Sequence, residues 1–200
     1  PEVLQNILKT YDIQKSLINK DLKDIKNIEI IGCGSAYHAG LVGKYFLEEL
    51  LKIPTTVYLA SEYRYSDILI KENKISIFIS QSGETADTLA ALRKAKEENS
   101  YTIGIINTVG SSIAREADEV LYIKAGPEKA VATTKAYSAQ VLVLELLALS
   151  LSKKQEEKEN LKNLPIIIQE TINRQNLENL ADNLKDKKDI FFIGRKLDYY

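Results

Sequence analysis

The 200-residue chain has one cysteine, one histidine, no methionine, no tryptophan and four prolines. One cysteine makes no internal disulfide, and one cysteine with one histidine cannot build an ordinary four-ligand zinc site. A metal-independent protein with no cofactor, in the cytoplasm, is the expectation. Charge of one sign is lacking as well. Lys and Arg number 27 against 28 Asp and Glu, a formal net charge of −1, and no basic cluster is dense enough to track a polyanion, so no nucleic acid is expected as a partner. No apolar run approaches the roughly 18 residues that span a bilayer, and Pro1-Glu2-Val3-Leu4-Gln5 lacks the pattern of a signal peptide, so no membrane is expected either. Pro1 running straight into a helical pattern is expected to be the start of a piece of something longer.

What is present is ordinary for a globular protein. At 44% hydrophobic and 28% charged, the chain can bury a real core, and its length suits one domain or slightly more. Val3, Leu4, Ile7, Leu8, Tyr11, Leu17, Ile18, Leu22 and Ile25 recur at helical spacing, which predicts helix over residues 1–27, broken once near Asp12. Strands and helices then alternate: a strand at Ile28–Ile31, helix Tyr37–Leu51, strand Thr55–Leu59, strand Ile75–Ile79, helix Thr85–Glu98, strand Tyr101–Ile106, a short helix near Ser112–Ala117, strand Val120–Ile123 and a helix from about Thr133 to Leu151. This alternation predicts an α/β fold, a doubly wound, mostly parallel five-stranded sheet flanked by helices, over residues 28–152. A charged run and a linker helix, with Pro165 in its first turn, fill 153–187. The apolar run Ile190-Phe191-Phe192-Ile193 predicts the first strand of a second unit within 188–200.

In such a sheet ligands bind at the carboxyl ends of strands, where strand order reverses. Ser80-Gln81-Ser82-Gly83-Glu84-Thr85 places three hydroxyls, an amide and a flexible glycine between a strand and a helix N-terminus. Uncommitted N–H groups and the positive end of the helix dipole favour an anion there, and hydroxyls add donors without competing charge. Phosphate is the natural guest. The competing role is capping, in which Ser82 would accept from the Thr85 N–H.

Gly32-Cys33-Gly34-Ser35-Ala36-Tyr37 begins like a dinucleotide fingerprint, but Tyr37 stands where the last glycine belongs, which suits a smaller ligand near Ser35. Thr133 and Thr134 are N-cap candidates, Ser111 and Ser112 are expected to cap the short helix, and Lys135 is expected to be solvated. Cys33 reads as a small buried hydrophobe and His38 as a packed or surface residue. Gly-x-Ser-x-Gly and a second histidine are both lacking, so a serine hydrolase has no support.

Taken together, Cys33-Gly34-Ser35-Ala36-Tyr37, Ser80-Gln81-Ser82-Gly83-Glu84-Thr85-Ala86-Asp87-Thr88-Leu89 and Val131-Ala132-Thr133-Thr134-Lys135-Ala136-Tyr137 resemble the glutamine:fructose-6-phosphate aminotransferase family. Ala60–Tyr65 and Asn107–Ser112 also look like family segments. The isomerase part of that family is built from two sugar-isomerase (SIS) subdomains, of which this chain resembles the first. The resemblance implies a fructose 6-phosphate site, with Ser80, Gln81, Ser82 and Thr85 on the phosphate and Ser35, the backbone near Ala36, Val131 and Thr133 facing the sugar. It implies conversion to glucosamine 6-phosphate for amino-sugar synthesis, a glutaminase domain and a second SIS subdomain as partners in the parent chain, and a homodimer. The groups that open the sugar ring would lie outside residues 1–200, so none of the catalytic residues is expected here. The family usually has Thr-Ser where this chain has Ser35-Ala36, Ser in place of Thr133, and Gly after the arginine that Lys196 follows here. A non-catalytic sugar-phosphate-sensing SIS module is the alternative reading.

Overall fold

The computed structural model describes residues 1–12, 15–67, 69, 73–128, 133–152, 159–174 and 177–199. Five strands, β1 (Asn27–Gly32), β2 (Thr55–Leu59), β3 (Lys74–Ser80), β4 (Tyr101–Ile106) and β5 (Glu119–Tyr122), form one sheet in the order β2-β1-β3-β4-β5. Every neighbouring pair is parallel, with Ile30 opposite Val57 and Ile77, and Ile77 opposite Ile103. Helices α2 (Ser35–Leu51), α3 (Ala60–Tyr63), α4 (Ala86–Glu97), α5 (Ser112–Glu116) and α6 (Lys135–Leu151) follow strands, and α1 (Glu2–Thr10) precedes them. This is the expected α/β sheet.

The central strands read as apolar runs because both of their faces are covered. Strand period then sorts their side chains. Ile28, Ile30, Ile75, Ile77, Ile79, Ile103 and Ile105 enter one core with Leu4 and Ile7 of α1, Leu47 of α2 and the apolar side of α6. Ile31, Phe78 and Ile106 enter a second core with Tyr63, Ala91, Leu92 and Ile113 of α3, α4 and α5. Each fully buried large apolar side chain stabilises by about 1.5–3 kcal/mol, whereas exposed ion pairs such as Lys162–Glu159 contribute about 0–1 kcal/mol. The two cores hold the sheet.

The second face is polar at its amino end. Lys74 Nζ lies 3.1 Å from Glu29 Oε2 and 2.9 Å from Glu98 Oε2, and Tyr63 Oη and Ser76 Oγ donate to Glu29 Oε2 at 2.8 and 2.9 Å. The side chains of Lys74 and Glu29 have no exposed surface. Burial together with the neighbouring Glu29 charge holds the Tyr63 phenol far above its ordinary range. Such a buried pair persists only because each charge is matched by hydrogen bonds.

Two expectations change. The first helix ends at Thr10, and the described residues of 11–26 are irregular. There Ser16 Oγ accepts from the Ile18 N–H, Asp21 Oδ1 accepts from the Lys23 N–H, and Glu119 Oε1 accepts from both the backbone and the amide of Asn19. Side-chain acceptors thus compete for the N–H groups that a helix would use. Residues 189–195 pair with no strand, and Phe191, Phe192 and Ile193 are 86–96% exposed. A strand exists only through its ladder partners, and among the described residues this segment has none. Within the expected linker helix the described residues are helical at α7 (Leu164–Arg174) and α8 (Leu177–Leu184), and Pro165 sits in the first turn of α7. No helix among the described residues is long and apolar enough to cross a membrane.

Candidate functional site

The chain leaves β1 for β2 on one side of the sheet and returns to β3 and β4 on the other, so strand order reverses between β1 and β3. A crevice opens above the carboxyl ends of two such strands, and ligands of doubly wound sheets bind there. Two helices begin at this edge, α2 just after Gly34 and α4 just after Thr85. The first N–H groups of each have no acceptor within the helix and carry positive potential.

Ser80 ends β3, is buried, and uses its hydroxyl within the turn: Oγ accepts from the Gly83 N–H at 3.0 Å and lies 3.2 Å from Thr85 Oγ1. Ser82 Oγ accepts from the Glu84 N–H at 3.2 Å rather than from Thr85, so the competing capping bond is absent; Thr85 is the N-cap of α4 but makes no side-chain cap bond. An accepting hydroxyl keeps its own proton to donate. Ser82 and the Ser80–Thr85 pair therefore offer donors beside the α4 N-terminus. Gln81 is half-buried, and with Asn107, Thr108, Lys124 and Gly126 it lines an open cavity of about 630 Å³.

On the β1 side, Ser35 Oγ lies 3.0 Å from Thr133 Oγ1, across 98 residues of sequence. These two predicted sugar contacts do come together. Ala36 has its methyl in the first core and its N–H on the Cys33 carbonyl at 3.2 Å, so its side chain presents nothing to a ligand. Val131 lies outside the described residues. Cys33 is half-buried, with Sγ 3.9 Å from Thr88 Oγ1, while His38 is exposed on α2 with its ring edge-on to Tyr37.

The capping expectations elsewhere at this edge are corrected. Thr134 is the N-cap of α6 without a side-chain bond, and Glu128 Oε2 accepts from the Ala136 N–H at 3.4 Å instead. Lys135 Nζ donates to the Pro127 carbonyl at 2.7 Å, so this lysine is exposed yet tied to the loop. Ser111 is the N-cap of α5, but its buried Oγ finds no hydrogen-bond partner among the described residues; Glu84 Oε1 accepts from the Ser112 N–H at 2.7 Å in its place. Hydrogen bonding from Ser112, aided by Arg115, holds the Glu84 carboxyl below the usual range.

Two residues given no role in the sequence reading shape the site. Asn107 accepts from the Ala125 N–H and donates to the Gly126 carbonyl, both at 2.8 Å, fastening the end of β4 to the loop after β5. Thr88 is fully buried beneath Cys33. The signal for Asn107 was an amide at a strand end, where one side chain can pair with a neighbouring backbone at both of its polar atoms.

Known proteins share this fold. The family model described as SIS domain matches residues 21–150, well over half of the chain. The chain belongs to the SIS domain family. This SIS domain is similar to the glutamine--fructose-6-phosphate aminotransferase [isomerizing] of Caldanaerobacter subterraneus subsp. tengcongensis, 47% identical over 92% of this chain and 32% of that protein. It is also similar to the protein of the same name from Aquifex aeolicus, 42% identical over 100% of this chain and 34% of that one. Among solved structures, the C-terminal domain of glucosamine-fructose-6-phosphate aminotransferase from Francisella tularensis superposes with a TM-score of 0.92 at 34% identity, covering all of this chain and 60% of that one. The SIS domain thus spans about a third of the length of these curated relatives.

Proposed function

We propose that this SIS domain holds fructose 6-phosphate as part of the isomerase region of a glutamine:fructose-6-phosphate aminotransferase, which makes glucosamine 6-phosphate for amino-sugar synthesis. One observation carries the reading: the Ser80–Thr85 turn presents hydroxyl protons beside the α4 N-terminus, at the switch point of the sheet. Ser80, Gln81, Ser82 and Thr85 bind the phosphate. Ser35 and Thr133, already in contact, face the sugar with the backbone at Ala36 and with Val131.

The chain supplies binding rather than proton transfer. General acid–base chemistry needs titratable groups that are free to reach the sugar. Near the phosphate turn, Glu84 is committed to Ser112, and Asp87 to Arg64 at 2.8 Å. In the parent protein, residues 28–152 form the first SIS subdomain, 153–187 a linker and 188–200 the opening of a second. A glutaminase domain and a partner subunit in a homodimer complete the cytoplasmic enzyme.

Titration with fructose 6-phosphate and with fructose tests the reading. The phosphate ester binds and fructose binds far more weakly. Ser82→Ala removes one hydrogen bond to a charged group, about 1.5–3 kcal/mol, and weakens fructose 6-phosphate from roughly ten-fold to more than a hundred-fold. Equal affinity of the two proteins would refute the phosphate assignment.

A further inference from the structure

The phosphate turn carries a negative charge of its own, because Glu84 sits between Gly83 and Thr85. A carboxylate in that turn opposes a phosphate unless something holds it away. The structure shows what does. Glu84 Oε1 accepts from the Ser112 N–H at 2.7 Å, in the segment that follows β4. Two backbone carbonyls of the turn go to the same segment. The Gln81 carbonyl accepts from the Asn107 N–H at 3.2 Å and from Thr108 Oγ1 at 3.4 Å, and the Gly83 carbonyl accepts from the Ile113 N–H at 3.1 Å. Ser111, which is buried, presses on Gly83 between these bonds. With these acceptors drawn onto 107–113, the hydroxyls and the α4 N-terminus are left for the anion.

We propose that Glu84 is the positioning residue of the phosphate turn: by accepting from the Ser112 N–H it seats the turn on 107–113, withdraws its own charge, and leaves the turn's donors facing the sugar phosphate. The inference rests on the function proposed above. Glu84 acts through the backbone and does not touch the ligand. What matters is its reach and its acceptor oxygen, not its charge, which separates this role from an electrostatic one.

Fructose 6-phosphate affinity and the urea midpoint are measured for the wild-type chain and for Glu84→Gln, Glu84→Asp, Glu84→Ala and Ser82→Ala. Glutamine keeps an acceptor at the same reach and is expected to bind within about three-fold of wild type. Aspartate keeps the charge but falls one methylene short, so both it and alanine bind on the order of ten-fold more weakly. If Glu84→Ala does not fold, the contrast between glutamine and aspartate still decides. Aspartate binding like wild type while glutamine fails, or every Glu84 variant binding as well as wild type, overturns the positioning role. If that happens while Ser82→Ala still weakens binding, the phosphate site stands without it. A wild-type chain that ignores fructose 6-phosphate overturns both.

Discussion

Replacing Gly83 by alanine separates two effects that a glycine can conceal. Its backbone has φ +67°, and a Cβ there would lie 2.0 Å from Ser111 Oγ, 2.6 Å from Ser111 Cβ and 2.9 Å from Ile106 Cγ2. Gly34, before α2, has φ +56° but no heavy atom within 4 Å of such a Cβ. Gly34, with ψ −130°, lies at positive φ outside the left-handed helical region, so Gly34→Ala carries backbone strain alone, about 1–3 kcal/mol. Gly83→Ala carries positive-φ strain of the same order and must also displace the buried Ser111 and Ile106, which adds about 1–3 kcal/mol as in other overpacked cores. Urea unfolding of both variants should place Gly83→Ala below Gly34→Ala by about that added amount. Adding Ser111→Gly, which removes both of the nearest atoms, should recover part of the difference, with a coupling of about 1 kcal/mol or more. The reasoning fails if Gly83→Ala is no less stable than Gly34→Ala.

Three further outcomes follow from buried and half-buried charge. Lys74→Met leaves Glu29 without its cation at a site with no exposed surface, and should destabilise by about 3–5 kcal/mol in urea titration. Arg64→Ala, which breaks a pair whose side chains are 36% and 40% exposed, should change stability by less than about 1 kcal/mol. Burial pushes the Asp118 carboxyl up, but hydrogen bonds from the Thr102 N–H and Oγ1 and from Lys96 outweigh it and leave its pKa lowered. A depressed carboxylate stabilises the fold fully above its unfolded pKa, about 3.9, and that contribution is lost as pH falls through the lower folded value. Asp118→Asn should therefore flatten the loss of stability below about pH 4, and an unchanged acid limb would contradict the assignment.

The sheet was legible because its central strands are buried on both faces and read as short isoleucine-rich runs bounded by glycine, serine or proline. What the runs concealed was the second face. The expected strand starts at Ile75, one residue after Lys74, because a buried lysine needs partners and those of Lys74, Glu29 and Glu98, are distant in sequence. The helix expected between the break near Asp12 and residue 27 failed for a related reason. Leu17, Leu22 and Ile25 do pack against the first core, so their spacing reported burial correctly, but an irregular chain delivers them there.

At the site, residue types were readable and their wiring was not. Hydroxyls in Ser80–Thr85 and at Ser35 and Thr133 marked the edge, yet the side-chain capping bonds expected of Ser111 and Thr134, and the competing one of Ser82, are not formed. Ser82 serves Glu84, Glu84 serves Ser112, and Glu128 serves Ala136. Contacts such as Ser35–Thr133 and Glu84–Ser112 join loops that only the parallel sheet brings together. Local sequence carries no record of them.

Mapping backbone amide shifts of the chain on titration with fructose 6-phosphate tests the central claim most directly. The account predicts shifts that concentrate at 34–36, 80–85 and 133, above β1 and β3. Shifts concentrated instead at the groove between α1 and α7, around Leu4, Ile168 and Ile172, or no shifts at all, would contradict it.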